Sequence, residues 1–382
     1  MQCTVCNADT ETISLGKAPV GGQKFHTLGE SLSAPLMPLD LIFCPQCSMT
    51  HYRYVAEANS ILARLYADQH STYSILSQGN PYLQNLARRL TSTYKINNAL
   101  KILEIGCNDG ELLSIFQEEY GCDVVGVEPG QLFKEVWDKR RLHVINDYFD
   151  ISTAGKLSSK TFDLIIIRHV LEHIQDPISF LAAVSMLVSE NTILVLEFPY
   201  LPAIFRKRRF ENMSYSHLNY FTTKSVNALI SRFQLGILSA EEVDTDGGSV
   251  VICIQRGVNT PSQLIDSINR VDFSKFVKDQ NSHCEYLHAL LSEYPPEEVI
   301  GYGAGAKGPH LLSLFCLDKY ITRVIDDNPA YHGRFIAGTR AQVVSRDDVD
   351  FERIKLVLNL APTHSDAIRS RLGSAVQIVD IV

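Results

Sequence analysis

Four of the nine cysteines stand in two pairs, Cys3-x-x-Cys6 and Cys44-Pro-Gln-Cys47, separated by 37 residues. Each pair puts two thiolates on one tight turn, and two such turns supply the four soft donors of a tetrahedral zinc ion. Four sulfurs leave no position for water, so the expected role is structural. Residues 1–55 otherwise read as loop-rich, with few apolar residues and little helical periodicity, and a metal is expected to supply the folding energy they lack. The other five cysteines, Cys107, Cys122, Cys253, Cys284 and Cys316, sit singly and read as buried free thiols.

A second chemical signal is ILEIGCNDGELL, which places Glu104, Gly106, Asn108 and Gly110 where a buried strand turns into a helix. Glycines there let the backbone approach a ligand, and the helix start offers free N–H groups. An acid ahead of the first glycine repels a pyrophosphate but can take up the ammonium of a methionine moiety. The next strand ends in Glu128, 24 residues after Glu104, where a carboxylate can bind both hydroxyls of a ribose. Together these point to S-adenosylmethionine (SAM) rather than a dinucleotide. Farther on, Tyr148 follows the third strand, where it could edge an adenine. Arg168 and His169 follow the fourth, on the same carboxyl edge of the sheet.

Apolar strands alternate with amphipathic helices around this loop: KILEIGC, GELLSIFQEEY, CDVVGVEP, QLFKEVWDKRR, HVIN, FDLIIIRHV, ISFLAAVSMLV and TILVLEFPY. The pattern predicts an α/β fold with a doubly wound parallel sheet. VNALISRFQ and GGSVVICIQ add a helix and a late strand. After a break near 257–262, a second alternating unit begins with VIGYGAGAKG. There Gly301, Gly303 and Ala306 have dinucleotide-fingerprint spacing, and Asp326 ends the next strand 25 residues after Gly301. Taken alone this suggests NAD, and an NAD-dependent oxidoreductase is the rival reading. The expected units are 1–55 (zinc module), 56–257 (helical lead-in and SAM domain) and 258–382 (C-terminal Rossmann-like domain).

The 382 residues carry 45% hydrophobic and 20% charged side chains, as soluble proteins do. No apolar run approaches the ~20 residues of a membrane span, and the N-terminus lacks the order of a secretion signal. A cytoplasmic enzyme is the expectation. The net charge of −8 argues against nucleic acid as partner. One basic run, Arg206-Lys207-Arg208-Arg209, reads either as a solvated turn or as a patch meeting substrate phosphate.

With these motifs in hand, the chain resembles the NDP-sugar C-methyltransferases. That family combines a zinc-binding N-terminal domain, a class I methyltransferase domain and a C-terminal Rossmann-like domain. The likeness runs through the cysteine knuckles, ISLGKAPVGGQKF, EIGCNDG, HVLEHI, EFPYL, SHLNYF, GGSVV and YGAGAKG with VIDDNPAYHGRFIAGT. It implies a nucleotide-sugar substrate whose nucleotide lies against the C-terminal domain, with Lys307 a phosphate candidate, and methylation at a carbon beside a keto group through an enolate. It further implies that His173 of HVLEHI and His217 of SHLNYF are active-site histidines, His217 being the first candidate base. Where the family segment reads Tyr-His-Glu-His, this chain has Ser214-Tyr215-Ser216-His217. Tyr215 is displaced by one from the family tyrosine, and the carboxylate is replaced by Ser216. Methyl transfer to oxygen or nitrogen, which needs only a nucleophile held in line, is therefore the alternative. A non-catalytic binding protein is the third reading.

Overall fold

The computed structural model describes residues 1–20, 22–67, 79–95, 100–305, 307–373 and 376–382. Ala306 and most of the loop expected over 70–80 lie outside them.

The N-terminal stretch departs from expectation. It forms β1 (Glu11–Pro19), β2 (Lys24–Phe25), α1 (Leu28–Leu32), β3 (Leu36–Phe43) and β4 (Thr50–Tyr52). In β3 the series Met37, Leu39, Leu41 buries every second side chain, the period of a strand with one face on a core. β1 and β4 flank β3 in antiparallel register, and Ile13, Leu15, Phe43 and Tyr52 complete an apolar face. These residues are therefore not poor in apolar side chains. Pro and Gly within β1 and β3 mask the alternation in the sequence.

Two helices, α2 (Ala56–Ala67) and α3 (Pro81–Tyr94), lead into the central sheet. Asn80 caps α3 through its side chain, and Pro81 opens it, where a missing N–H costs nothing. The sheet then grows by alternation. β5 (Lys101–Ile105), α4 (Glu111–Tyr120), β6 (Asp123–Val127), α5 (Lys134–Arg140) and β7 (His143–Ile145) run to one edge. The chain passes through α6 (Ile151–Leu157), an element not expected from the sequence, and returns to the other side of β5. There β8 (Leu164–Arg168), α7 (Pro177–Ser185) and β9 (Ile193–Pro199) follow. Next come α8 (Leu201–Arg206), β10 (Asn219–Tyr220), α9 (Thr223–Ile230), β11 (Leu235–Val243) and β12 (Ser249–Arg256). The strand order is β11-β12-β9-β8-β5-β6-β7, with β12 antiparallel to β9. The reversal of winding lies between β5 and β8, the point at which such sheets open a ligand crevice.

The C-terminal unit starts with α10 (Arg270–Leu291) and continues through β13 (Val299–Tyr302), α11 (Pro309–Leu314), β14 (Arg323–Ile325), β15 (Phe335–Ile336), β16 (Gln342–Val344), β17 (Leu356–Asn359), α12 (Ser365–Leu372) and β18 (Gln377–Asp380). Its sheet has the order β18-β17-β13-β14-β16-β15-β2.

Two strand pairings cross the expected unit boundaries. β2 closes the edge of the C-terminal sheet against β15, and β10 joins β4 as the fourth strand of the N-terminal sheet. One apolar cluster accordingly holds Leu39 and Phe43 together with Phe210, Tyr220, Leu311 and Val324. The cysteine knuckles instead pack on the central unit, where Val5 and Met49 share a cluster with Leu229 and Ile230 and Arg232 donates to the Val5 carbonyl. Two isolated thiols also differ from expectation: Cys316 is exposed and Cys284 only half-buried. Among the described residues no helix is long and apolar enough to cross a membrane.

Candidate active site

β5 delivers Glu104 to the carboxyl edge of the sheet, 3% exposed. Its Oε2 has no hydrogen-bond partner among the described residues. Burial raises its pKa to about 8, opposed by Arg168 and reinforced by Asp109, Glu128 and Glu197. A buried, partnerless carboxylate at a strand end is a site waiting for a cation. The turn beyond it is built for glycine. Gly106 and Gly110 have φ of 77° and 76°, and a Cβ on Gly106 would lie 2.3 Å from Val170 Cγ2. Gly106→Ala should therefore destabilise the protein by about 2–4 kcal/mol through strain and overpacking. Denaturant unfolding checks this, and near-normal stability would show that the turn relaxes.

Asn108 also lies in the left-handed region, φ 50°, with its carbonyl accepting from Trp137 Nε1 at 2.7 Å. Its N–H donates to Glu128 Oε2 at 3.1 Å, while Gly130 N–H donates to Oε1 at 2.8 Å. Each oxygen keeps a lone pair for a ribose hydroxyl. Tyr148 is 69% exposed just past β7, so its ring is open to a ligand. These residues fit SAM: the partnerless Glu104 oxygen suits an ammonium, and Glu128 suits a diol.

His169 is engaged differently from the cofactor contact expected of it. Its ring bridges two acids, Nδ1 3.4 Å from Glu172 and Nε2 3.3 Å from Glu197. Burial disfavours its charge, but the two carboxylates outweigh this and raise its pKa to about 10, so it is a cation. Arg168 pairs with the same Glu197 at 2.6 Å.

The two expected histidines do come together. His173 sits in a 3₁₀ turn, Leu171–His173, and its ring centroid is 5.1 Å from that of His217. The segment carrying His217 is tied to that turn: Leu218 N–H donates to the Glu172 carbonyl at 2.7 Å, and Asn219 Nδ2 to the Ile174 carbonyl at 2.6 Å. His217 is 4% exposed, and its Nδ1 has no partner among the described residues. Burial, then His173 and Lys307, lower its pKa to about 3 against Glu172 and Asp246, so the ring is neutral.

Tyr215 is a correction. Its hydroxyl donates to the Pro38 carbonyl, and its ring stacks on Tyr52 at 4.7 Å. It is a core residue, because the turn at Ser214–His217 sends it toward the N-terminal sheet. Ser214 and Ser216 instead hydrogen bond each other at 2.6 Å. The basic run is committed too: Arg206 pairs with Glu242, Lys207 with Asp244, Arg208 with Asp279 and Arg209 with Glu211. Lys307 pairs with Asp246.

Glu172 is the residue that sequence reasoning passed over. It is 2% exposed, beside His169, His173 and His217, and those rings overcome the effect of burial and hold its pKa below the ordinary value. Its place one residue before His173 in HVLEHI was the available signal. In the C-terminal unit, Asp326 is spent on the backbone, accepting from Ala304 and Asn328 N–H groups at 2.6 and 2.8 Å.

At the other end of the chain the four paired cysteines converge. Cys3 Sγ is 3.6 Å from Cys47 Sγ, and Cys6 Sγ is 3.5 Å from Cys44 Sγ. A tetrahedron of sulfurs at zinc has edges of about 3.8 Å, so the donor set and spacing fit such an ion.

Comparison with known proteins decides the family. Residues 76–240 match the model of a methyltransferase domain, and residues 244–378 match that of a C-methyltransferase C-terminal domain. C-methyltransferase NovU of Streptomyces niveus is 23% identical over 371 residues, 90% of this chain and 85% of its own. The chain belongs to the C-methyltransferase family. This C-methyltransferase is SAM-dependent, and the match over 244–378 replaces the oxidoreductase reading of Gly301 to Asp326. A shorter likeness, 34% over 99 residues, links it to the ubiquinone biosynthesis O-methyltransferase of Photobacterium profundum, covering 24% of this chain and 40% of that one. Among solved structures, magnesium protoporphyrin IX methyltransferase from Synechocystis PCC 6803 with bound SAH aligns over 53% of this chain and 95% of its own, at 13% identity and a TM-score of 0.38.

Proposed function

We propose that this C-methyltransferase methylates a carbon beside the keto group of a nucleotide-linked deoxysugar, through an enolate whose formation His217 and His173 assist. The observation that carries the reading is the neutral, buried His217 packed against His173 at the carboxyl edge of the sheet that bears Glu104. A neutral imidazole can receive a proton, although burial that holds its pKa to about 3 also weakens it as a base, so the reading rests on the pairing of the two rings rather than on the shift. Lys307 and Asp246 bring the C-terminal unit to the same place, which supports a substrate lying between the two units.

SAM supplies the electrophilic methyl group. Glu104 would hold its ammonium, Glu128 its ribose diol, the turn at Gly106, Asn108 and Gly110 its backbone contacts, and Tyr148 the edge of its adenine. Cys3, Cys6, Cys44 and Cys47 would hold a structural zinc ion. The working division remains 1–55, 56–257 and 258–382, with the first sharing its sheet with β10.

Incubation with an NDP-4-keto-hexose in D₂O tests the reaction. Deuterium should enter the carbon α to the carbonyl, and added SAM should give a product methylated there. His217→Ala should slow both by roughly 10²–10⁴-fold, the usual weight of a positioned acid–base group. Methylation at oxygen or nitrogen without exchange would overturn the enolate. The Ser214–Ser216 hydroxyl pair, standing where the family has tyrosine and glutamate, is what would favour that outcome.

A further inference from the structure

Two buried carboxylates stand at the carboxyl edge of the central sheet beyond Glu104, Glu197 at 1% exposed and Glu172 at 2%. Arg168 meets Glu197 through Nε at 2.6 Å, and the Thr245 hydroxyl donates to it at 2.9 Å. Glu197 is therefore balanced without help from His169. Glu172 has no lysine or arginine beside it among the described residues; His169 Nδ1 lies 3.4 Å from its Oε1, and His173 Nε2 3.9 Å. The charge that answers Glu172 is thus the imidazolium of His169. Burial opposes that charge, but Glu172 and Glu197 raise the ring's pKa to about 10, so it persists through the neutral range. Asp246, a further acid within reach of this charge, is paired with Lys307. The backbone holds His169 in a special place. It stands just past β8 with φ 51°, a left-handed conformation costly for most side chains, and its N–H donates to the Glu197 carbonyl at 2.8 Å. Glu172 follows in the 3₁₀ turn, and one of its oxygens lies within 4.8 Å of a ring nitrogen each of His173 and His217.

We propose that His169 is a positioning residue for proton abstraction: its ring keeps Glu172 in place and ionised, so that the imidazolium formed at His217 has a counter-charge. The inference rests on the α-carbon reading above and concerns how the base is supported, not which group it is. The proton leaves the sugar carbon for a nitrogen of His217, and the bonding pair stays behind as the enolate. A new positive charge then sits on a buried ring, which is unfavourable unless a negative group faces it. Ser216 offers none, whereas Glu172 does. Burial alone would make Glu172 take up a proton were the cation beside it removed, and a protonated Glu172 no longer answers a charge. His169 acts through Glu172 and not on the substrate.

The test is a double-mutant cycle on the full chain, read by α-deuterium exchange and by methyl transfer. His169→Asn removes the charge with a residue type that tolerates the left-handed backbone. At pH 7 it should slow turnover roughly 10²-fold, the lower end for an acid–base group, with KM for the sugar and SAM affinity nearly unchanged. The deficit should shrink as pH rises toward about 9, because solution then ionises Glu172 without the cation. Glu172→Gln should lose as much and regain nothing at high pH, and adding His169→Asn to it should cost little more. Losses that multiply in the double variant, or a deficit constant with pH, overturn the proposal. If His169→Asn does not fold, nitrogen-15 NMR of the unaltered ring decides. Both ring nitrogens protonated at pH 8, with the pKa lowered in Glu172→Gln, is the expected result; a neutral ring at pH 8 overturns it. Coupled losses of methyl transfer without any α-exchange keep the role of His169 and sink the enolate; α-exchange with multiplying losses does the reverse.

Discussion

Glu104→Gln is expected to weaken SAM binding by roughly 10²–10³-fold, about 3–4 kcal/mol, as truncating one partner of a buried charge pair does. Without ligand, Glu104 is held at a pKa of about 8, chiefly by burial. At pH 7 about nine-tenths of the molecules therefore carry the proton there. An arriving ammonium favours the ionised form, so binding should release nearly one proton. Calorimetry in buffers of different ionisation enthalpy measures that release, and the Gln variant should abolish it. Below pH 8 the affinity should fall about tenfold per unit, because each unit makes ionisation costlier. The sign for stability is opposite. A folded-state pKa raised above the unfolded value means that this carboxylate costs stability as pH rises from about 4.5 to 8. The ligand-free Gln variant should therefore melt at a higher temperature at pH 8 than the unaltered protein. A variant that binds SAM normally would show that the ammonium lies elsewhere.

Cys44→Ser is the second large change. With zinc as the ion proposed for the four cysteines, the variant should retain almost none of it, since a three-sulfur set loses both charge and tetrahedral closure. The apolar face of β1, β3 and β4 should keep the N-terminal sheet from unfolding outright, unlike a peptide zinc finger. What should loosen is the path from the knuckles: Met49 leads directly into β4, and β4 pairs with β10, two residues beyond His217. Amide exchange at 214–221 should accelerate by roughly 10²-fold or more as local opening becomes easier. Mass spectrometry of exchanged peptides reads this directly. Metal loss with unchanged exchange there would separate the knuckles from the active-site segment.

Much of this architecture is legible in the chain because it is local. The parallel sheet shows in runs such as DLIIIRHV, buried on both faces, and the glycine turn beside Glu104 in the strand–glycine–helix order of EIGCNDGELL. The cysteine pairs declare themselves by spacing. Other features depend on partners far away in sequence. β10 is two residues long and exists only because β4 receives it. Tyr215 looks like a site residue by its neighbours, yet its place is set by stacking on Tyr52. Glu172 was passed over because a glutamate in a turn usually faces water, and only the fold surrounds it with three imidazoles. His169, which reads as a ligand contact on a sheet edge, is claimed by two acids, one of them on the next strand.

The sheet shared by β1, β3, β4 and β10 bears on how such enzymes can be recombined. A crossover at residue 55 would import three strands and leave behind the fourth, which carries the neighbourhood of His217. The imported and resident halves would have been selected in different parents, and the mismatch would fall beside His217. The heritable unit is thus discontinuous: 1–55 goes with 214–221, and also with β15 and the 229–232 stretch that hold β2 and the knuckles, so chimeras exchanging these segments together should keep more activity than those exchanging 1–55 alone.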